Sequence, residues 1–317
     1  MTVATSPPPG SPGGGTGLSP PAARPPGMRP PFAARASLGR QIAAATFITL
    51  GVTLLGFAAW MLLFSRLAYY RVQYNDYANF RAELAQAIAP TGPTDPANAK
   101  AALAPGSPVA VLRIPEIGLS AVILEGTSGQ VLESGPGHLR DTPLPGQAGI
   151  SEIFGRRAAY GGAFSRISGL RPGDAITVTT GLGVARYRVV DVRRAGDPVP
   201  QPTSPGRLIL ATADGPPFAP TGVLRVDADL TSAAQPLSNP LISAANLPSD
   251  EQLMGTDQVA WVPLVLWGTP LVVAASAVGW LSQRWGRWQA WIVAVPVLGF
   301  LGLAVAGQAT LLLPNLL

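Results

Sequence analysis

The chain has 317 residues, of which 47% are hydrophobic and only 12% charged, and its formal net charge is +5. A soluble globular domain carries about 25% charged residues, so part of this chain is built for a membrane. It contains no cysteine and a single histidine. That excludes disulfides, thiol nucleophiles and multi-histidine metal sites. No metal or cofactor is expected, and the dispersed basic residues give no nucleic-acid surface.

Residues 1–36, with runs such as Ser6-Pro-Pro-Pro-Gly-Ser-Pro, cannot build a core and are expected to be a disordered cytoplasmic tail. A proline-rich docking ligand is the other reading. Residues 39–66 contain a long uncharged run after Arg40, ending near Phe64. It is long enough for a ~30 Å hydrocarbon core and longer than the apolar part of a cleaved leader. It is expected to be the first transmembrane helix. Arg24, Arg29, Arg35 and Arg40 precede it and place the tail inside.

Residues 67–104 read as a short helix and a linker. Tyr70–Ala89 can form one amphipathic helix with Leu84 and Ile88 on one face, and Pro90-Thr-Gly-Pro-Thr-Asp-Pro breaks it. Residues 105–230 read as an all-β ectodomain, with short strands parted by Gly/Pro turns. In the last strand, Leu224, Val226, Ala228 and Leu230 alternate with Val223, Arg225, Asp227 and Asp229. The Asp227/Asp229 pair is expected on a solvated sheet face. A calcium site there would lack a ligand-rich loop. Residues 231–257 form a linker, and 258–281 and 288–313 are the second and third expected transmembrane helices. Arg284, Trp285, Arg287 and Trp288 mark the turn between them as a cytoplasmic loop at headgroup level. The β-domain then lies outside the plasma membrane. The terminal pair of spans reads equally as an anchor or as a docking hairpin.

Four motifs in order resemble the sortase family, the membrane-anchored transpeptidases of Gram-positive surfaces. Gly135-Pro-Gly-His138 with Thr142-Pro-Leu-Pro-Gly-Gln147-Ala-Gly149 is the first. Ile153-Phe-Gly155-Arg156-Arg157, continuing to Phe164, is similar to the family's Ile-x-Gly-His-Arg stretch. Leu170-Arg-Pro-Gly-Asp174 resembles its Leu-x-x-Gly-Asp turn, and Leu208-Ile-Leu210-Ala-Thr212-Ala213-Asp214 its Leu-x-Leu-x-Thr-Cys-Asp strand. The two C-terminal spans, ending Leu312-Leu-Pro-Asn-Leu-Leu317, are similar to actinobacterial sortase-like proteins. The resemblance implies an eight-stranded sortase β-barrel, here with three transmembrane helices.

The family reaction is acyl transfer. A Cys thiolate attacks a Leu-Pro-x-Thr-Gly-type signal, a His moves protons and an Arg holds the oxyanion. By the resemblance, the three positions hold Ala213, Arg156 and either Val223 or Arg225. A methyl group cannot attack, and a guanidinium does not exchange protons near neutral pH. The resemblance therefore implies a pseudoenzyme, with Ala213 and Arg156 facing each other across a groove. His138, Glu152, Arg157 and Thr212 are further groove candidates. Glu152 is expected either to pair with Arg156 or to be a surface charge, and His138 is expected to be a turn residue.

Three functions follow. The first is an inactive extracytoplasmic binding or scaffold module for a surface protein, a sorting-signal peptide or an active sortase. The second is a transpeptidase or hydrolase with a hydroxyl nucleophile, such as Ser151 or Thr212. The third is an accessory subunit of a transport or secretion complex, bound to a multi-span membrane protein.

Overall fold

The computed structural model describes residues 38–59, 65–217, 219–237, 242–284 and 287–317. The expected tail over residues 1–36 lies outside them. So do residues 60–64 of the expected first span and residues 285–286 of the expected loop.

Helix α1 (Leu38–Ala59) is followed by α2 (Ser65–Ala85). The second helix starts earlier and stops sooner than the sequence suggests. It ends where Ala87 adopts a left-handed φ of 57°, which an L-residue takes only at a chain reversal. Phe80, not Ile88, is its anchor. Phe80 is buried against Val111, Val122, Leu124 and Val131, whereas Ile88 lies beyond the helix and is exposed. The expected linker after α2 contains a small hairpin of β1 (Thr94–Asp95) and β2 (Asn98–Ala102).

The barrel strands are β3 (Pro108–Ile114), β4 (Leu119–Glu125), β5 (Gly137–His138), β6 (Gly149–Phe154), β7 (Ala175–Thr180), β8 (Gly183–Arg193), β9 (Gly206–Asp214) and β10 (Gly222–Leu230), with a short α3 (Gly129–Ser134) between β4 and β5. They close in the order β10, β8, β7, β3, β4, β5, β6, β9, back to β10. The pairs β4–β5 and β6–β9 are parallel and the rest antiparallel.

Alternation along each strand explains the closure. On β10, Leu224, Val226, Ala228 and Leu230 enter the core, joined by Leu208 and Leu210 of β9, Ala185, Tyr187 and Val189 of β8, and Ile153 of β6. The opposite face of β10 is not the wet surface expected. Asp227 and Asp229 are buried. Asp227 holds Arg193 of β8 in a two-pronged pair at 2.5 and 3.2 Å, and Asp229 holds Arg207 of β9 at 2.7 Å. Burying these carboxylates is tolerable only because each has a guanidinium partner.

Two motif glycines serve the fold. A side chain at Gly137 would place its Cβ 2.1 Å from the Gly126 carbonyl, so the short β5 could not lie beside the preceding turn. At Gly155, a Cβ would fall 2.5 Å from the Phe164 ring, which closes the barrel end beneath the next residue, Arg156.

Helices α4 (Trp261–Arg284) and α5 (Arg287–Leu311) form an antiparallel hairpin. Leu271, Ala275, Ala294 and Leu298 fill their interface, with Leu50 of α1 packed against it. Two helical stretches among the described residues, Gln258–Leu281 and Ile292–Leu311, are long and apolar enough to cross a membrane, rather than three. The described apolar stretch in α1 is the shorter Thr46–Gly56.

Candidate functional site

The site lies on the outer face of β6, β9 and β10. In the parallel β6–β9 pair, Phe154 stands opposite Ala211. Arg156 and Ala213 each follow two residues later, where the two strands end. In the β9–β10 pair, Val223 stands directly opposite Ala213, and Arg225 opposite Ala211. Arg225 thus shares the face of Ala213, one same-face step (~6.6 Å) along the strand.

Ala213 is buried, and its surroundings are apolar. It belongs to a cluster with Leu132, Leu139, Phe154, Ala211 and Leu316, against which Leu247, Leu253 and Met254 pack. None of these neighbours can take or give a proton.

Arg156 is fully buried but is committed elsewhere. Its Nη2 donates to the Gly129 carbonyl at 2.7 Å, at the start of α3. Its guanidinium carbon lies 4.9 Å from the Tyr160 ring centre, and Glu133 of α3 is 3.7 Å away. Nε has no partner. Burial lowers the Arg156 pKa, and the Glu133 charge works against that. Burial raises the Glu133 pKa, partly offset by Arg156 and by hydrogen bonds from Thr310 and Tyr160. Arg156 is therefore a buried cation tying α3 to the barrel. The Glu152–Arg156 pairing considered from the sequence is not formed; the partner is Glu133.

Glu152 is half-buried, and its charged surroundings are Arg225, Asp141, Arg193 and Asp227. Burial raises its pKa; Arg225 and Arg193 lower it, while Asp141 and Asp227 raise it. Arg193 is already spent on Asp227, so Arg225 is the cation that Glu152 faces. Among the described residues Arg225 makes no side-chain hydrogen bond.

The hydroxyl candidates face the wrong way. Thr212 has the parity of Leu208 and Leu210, points into the barrel, and donates from Oγ1 to the Gly155 carbonyl at 2.7 Å. It is not a groove residue. Ser151 has the parity of core residue Ile153 and is buried, and among the described residues its Oγ has no partner.

His138 is buried between two fixed partners. Nδ1 lies 3.0 Å from Glu125 Oε2, and Nε2 lies 3.0 Å from the Pro143 carbonyl and 3.2 Å from Thr142 Oγ1. A carbonyl only accepts, so Nε2 carries a proton. Burial lowers the His138 pKa, but the Glu125 charge and hydrogen bond, the Pro143 carbonyl and the Asp141 charge outweigh it, and the net shift is upward. The Thr142 hydroxyl already donates to the Leu139 carbonyl at 2.7 Å. An imidazole fixed between a carboxylate and a carbonyl acts here as a structural clamp. Arg157 is placed by its backbone: its N–H donates to the Leu316 carbonyl at 2.9 Å.

Sequence reasoning missed Glu133, Tyr160 and the whole cover of the site. Residues 242–257, expected as linker, fold against the barrel in two 3₁₀ turns, Ala244–Asn246 and Ser249–Glu251. Arg140 holds buried Glu251 through its Nε at 2.8 Å. The segment after α5 then returns over the site, with Leu316 in the cluster around Ala213. Its only sequence cue is Pro314-Asn315 interrupting the leucines after α5.

A closed eight-stranded barrel with its candidate site at the shared ends of β6, β9 and β10 defines a fold class, and the comparisons say what it is similar to. Residues 112–225 match the model described as the Sortase domain. Sortase D of Bacillus subtilis (strain 168) is 32% identical over 102 residues, covering 32% of this chain and 50% of the relative. Sortase SrtE1 of Streptomyces coelicolor is 30% identical over 190 residues, covering 54% and 51%. The chain thus spans about half the length of these curated relatives. A solved Sortase D5 transpeptidase of Clostridium perfringens is 22% identical, covers 51% of this chain and 99% of its own, and has a TM-score of 0.41. Over residues 112–225 the barrel is thus similar to the sortase domain.

Proposed function

We propose that this chain is a sortase-fold membrane protein without sortase chemistry, acting by binding on the extracytoplasmic face of an actinobacterial plasma membrane. One observation carries the reading. The β9 position where the resemblance expects a thiolate holds the methyl group of Ala213, in a chain with no cysteine. Two features add support. Arg156 is tied up by Gly129, Glu133 and Tyr160, so no proton shuttle stands beside Ala213. Val223, not an arginine, lies opposite it. The ligand class is an extended peptide of the sorting-signal type, presented by a surface protein; an active sortase or a multi-span subunit is the wider partner class. The relative from Streptomyces supports the actinobacterial setting. The apolar helices α4 and α5 supply the anchor; the β-domain lies outside, and an N-terminus inside further requires that the expected first span over residues 39–66 also crosses the bilayer.

The test is mass spectrometry of a Leu-Pro-x-Thr-Gly-type peptide incubated with the full chain and an amine acceptor. No cleaved or transferred product is expected. Turnover that Ser151→Ala or Thr212→Ala abolishes would replace this reading with the hydroxyl-nucleophile enzyme.

A further inference from the structure

The groove above Ala213 is filled by the chain itself. Leu316 is fully buried in the apolar cluster that contains Ala213, and its carbonyl accepts from the Arg157 backbone N–H at 2.9 Å. The preceding residue, Asn315, is also fully buried. Its Nδ2 donates to three backbone carbonyls: Thr127 at 2.8 Å on the barrel, and Asp250 at 3.2 Å and Gln252 at 2.9 Å on the strap of residues 242–257. Its backbone N–H donates to the Gly255 carbonyl at 2.9 Å. One amide side chain therefore pins two layers of cover to the barrel. An amide has only two N–H bonds, so three acceptors share them, and Asn315 Oδ1 is buried with no partner among the described residues. The pin therefore acts through the amide N–H groups alone.

We propose that the cleft over Ala213 is a peptide site whose resident occupant is this chain's own segment Asn315–Leu317, and that it admits another peptide only when this segment withdraws. The geometry defines what the site accepts: an amide side chain facing a ring of carbonyls, followed by a large aliphatic residue in the apolar floor. The segment follows α5 directly, and Thr310 of α5 bonds Glu133 at 3.1 Å, the acid beside Arg156. Withdrawal of the segment and displacement of α5 against the barrel are thus mechanically linked. This inference deepens the peptide-binding part of the proposed function and rests on it only for the identity of the incoming ligand.

The absence of cysteine makes the test direct. Ala213→Cys in the full chain, in detergent micelles, gives a single thiol under the cover, and its reaction with a small maleimide reports how often the cover opens. Slow labelling is expected. Adding Asn315→Ala removes the pin, and three lost hydrogen bonds raise the labelling rate by at least about tenfold. Leu316→Ala, which empties the floor while keeping the pin, also accelerates it. In both variants a thiol in the barrel core, introduced separately as Ala228→Cys, stays unreactive. Unchanged labelling at 213 in both variants overturns the proposal. So does acceleration at 213 and 228 together, which makes the segment an inseparable part of the fold. Finally, the peptide Leu-Pro-Asn-Leu-Leu is added to the opened variant. Restored protection supports a peptide site. Continued fast labelling leaves the closure standing and removes the peptide-binding reading.

Discussion

Arg156 offers a quantitative test of what the site has become. If it is a structural cation, its loss registers in stability. Arg156→Ala removes a charge-assisted hydrogen bond to Gly129, about 1.5–3 kcal/mol, and a cation–aromatic contact with Tyr160, about 0.5–2 kcal/mol. It also leaves the space of a buried side chain unfilled. Relief of the unpartnered Nε returns roughly 1 kcal/mol, which leaves about 1–4 kcal/mol, and the unfilled space brings the lower end to about 2 kcal/mol. For a folded unit of 150–250 residues this lowers Tm by about 5–15 °C. Arg156→Met keeps the stem and drops the charge, so most of the loss is recovered. The pH dependence has a definite sign. The Glu133 pKa is raised from 4.5 by burial, with Arg156 restraining the rise. A raised carboxyl contributes stability below its unfolded pKa and loses it as pH climbs through the folded pKa. Arg156→Met therefore widens the drop between about pH 4 and about pH 7, and adding Glu133→Gln abolishes it. The assay is thermal unfolding of the full chain in detergent by circular dichroism at the two pH values. Equal destabilisation by Ala and Met, or no change in pH response, would refute the structural-cation account.

Three further outcomes are expected. Gly137→Ala drives a Cβ into the Gly126 carbonyl and Leu132 and costs more than about 3 kcal/mol, read as loss of protease resistance. For Asp229, burial raises the pKa, but hydrogen bonds from Arg207 and Thr203 outweigh it, so the net shift is below the usual 3.8. Its stability contribution is present above that value and disappears as pH falls through the folded pKa, so Asp229→Asn is less stable at neutral pH and has a shallower acid limb in a urea titration. A cysteine at Thr203 reacts with an impermeant reagent from outside intact cells, whereas one at Arg287 does not; labelling at Arg287 would invert the proposed orientation.

The barrel was legible because its strands obey period two. Leu224, Val226, Ala228 and Leu230 could only be a core face, and so they are. The same rule separates Thr212 from Ala213: adjacent residues on one strand point to opposite faces, and proximity in sequence is no guide to the groove. Other features needed partners that the sequence does not identify. Asp227 and Asp229 read as wet because Arg193 and Arg207 reach them from neighbouring strands. Glu133 was silent because Arg156 meets it only after β5 and β6 turn the chain back. Leu316 was hidden just after an apolar run that composition assigns to the bilayer, yet it closes on residues more than a hundred positions earlier.

The position of the cover along the chain also has a consequence in time. The last barrel strand ends at Leu230 and the groove is sealed by Leu316. At roughly 5–20 residues per second, synthesis of the intervening stretch takes on the order of 4–17 s, whereas β-barrels of this kind fold in milliseconds to seconds. Each new molecule therefore passes through a brief youth with a finished barrel and an empty groove. If the groove takes peptides as proposed, one met during that interval competes with nothing, and one met afterwards must displace a tethered rival. On that proposal, what the groove holds at maturity is decided partly by what stands beside the protein while it is being made.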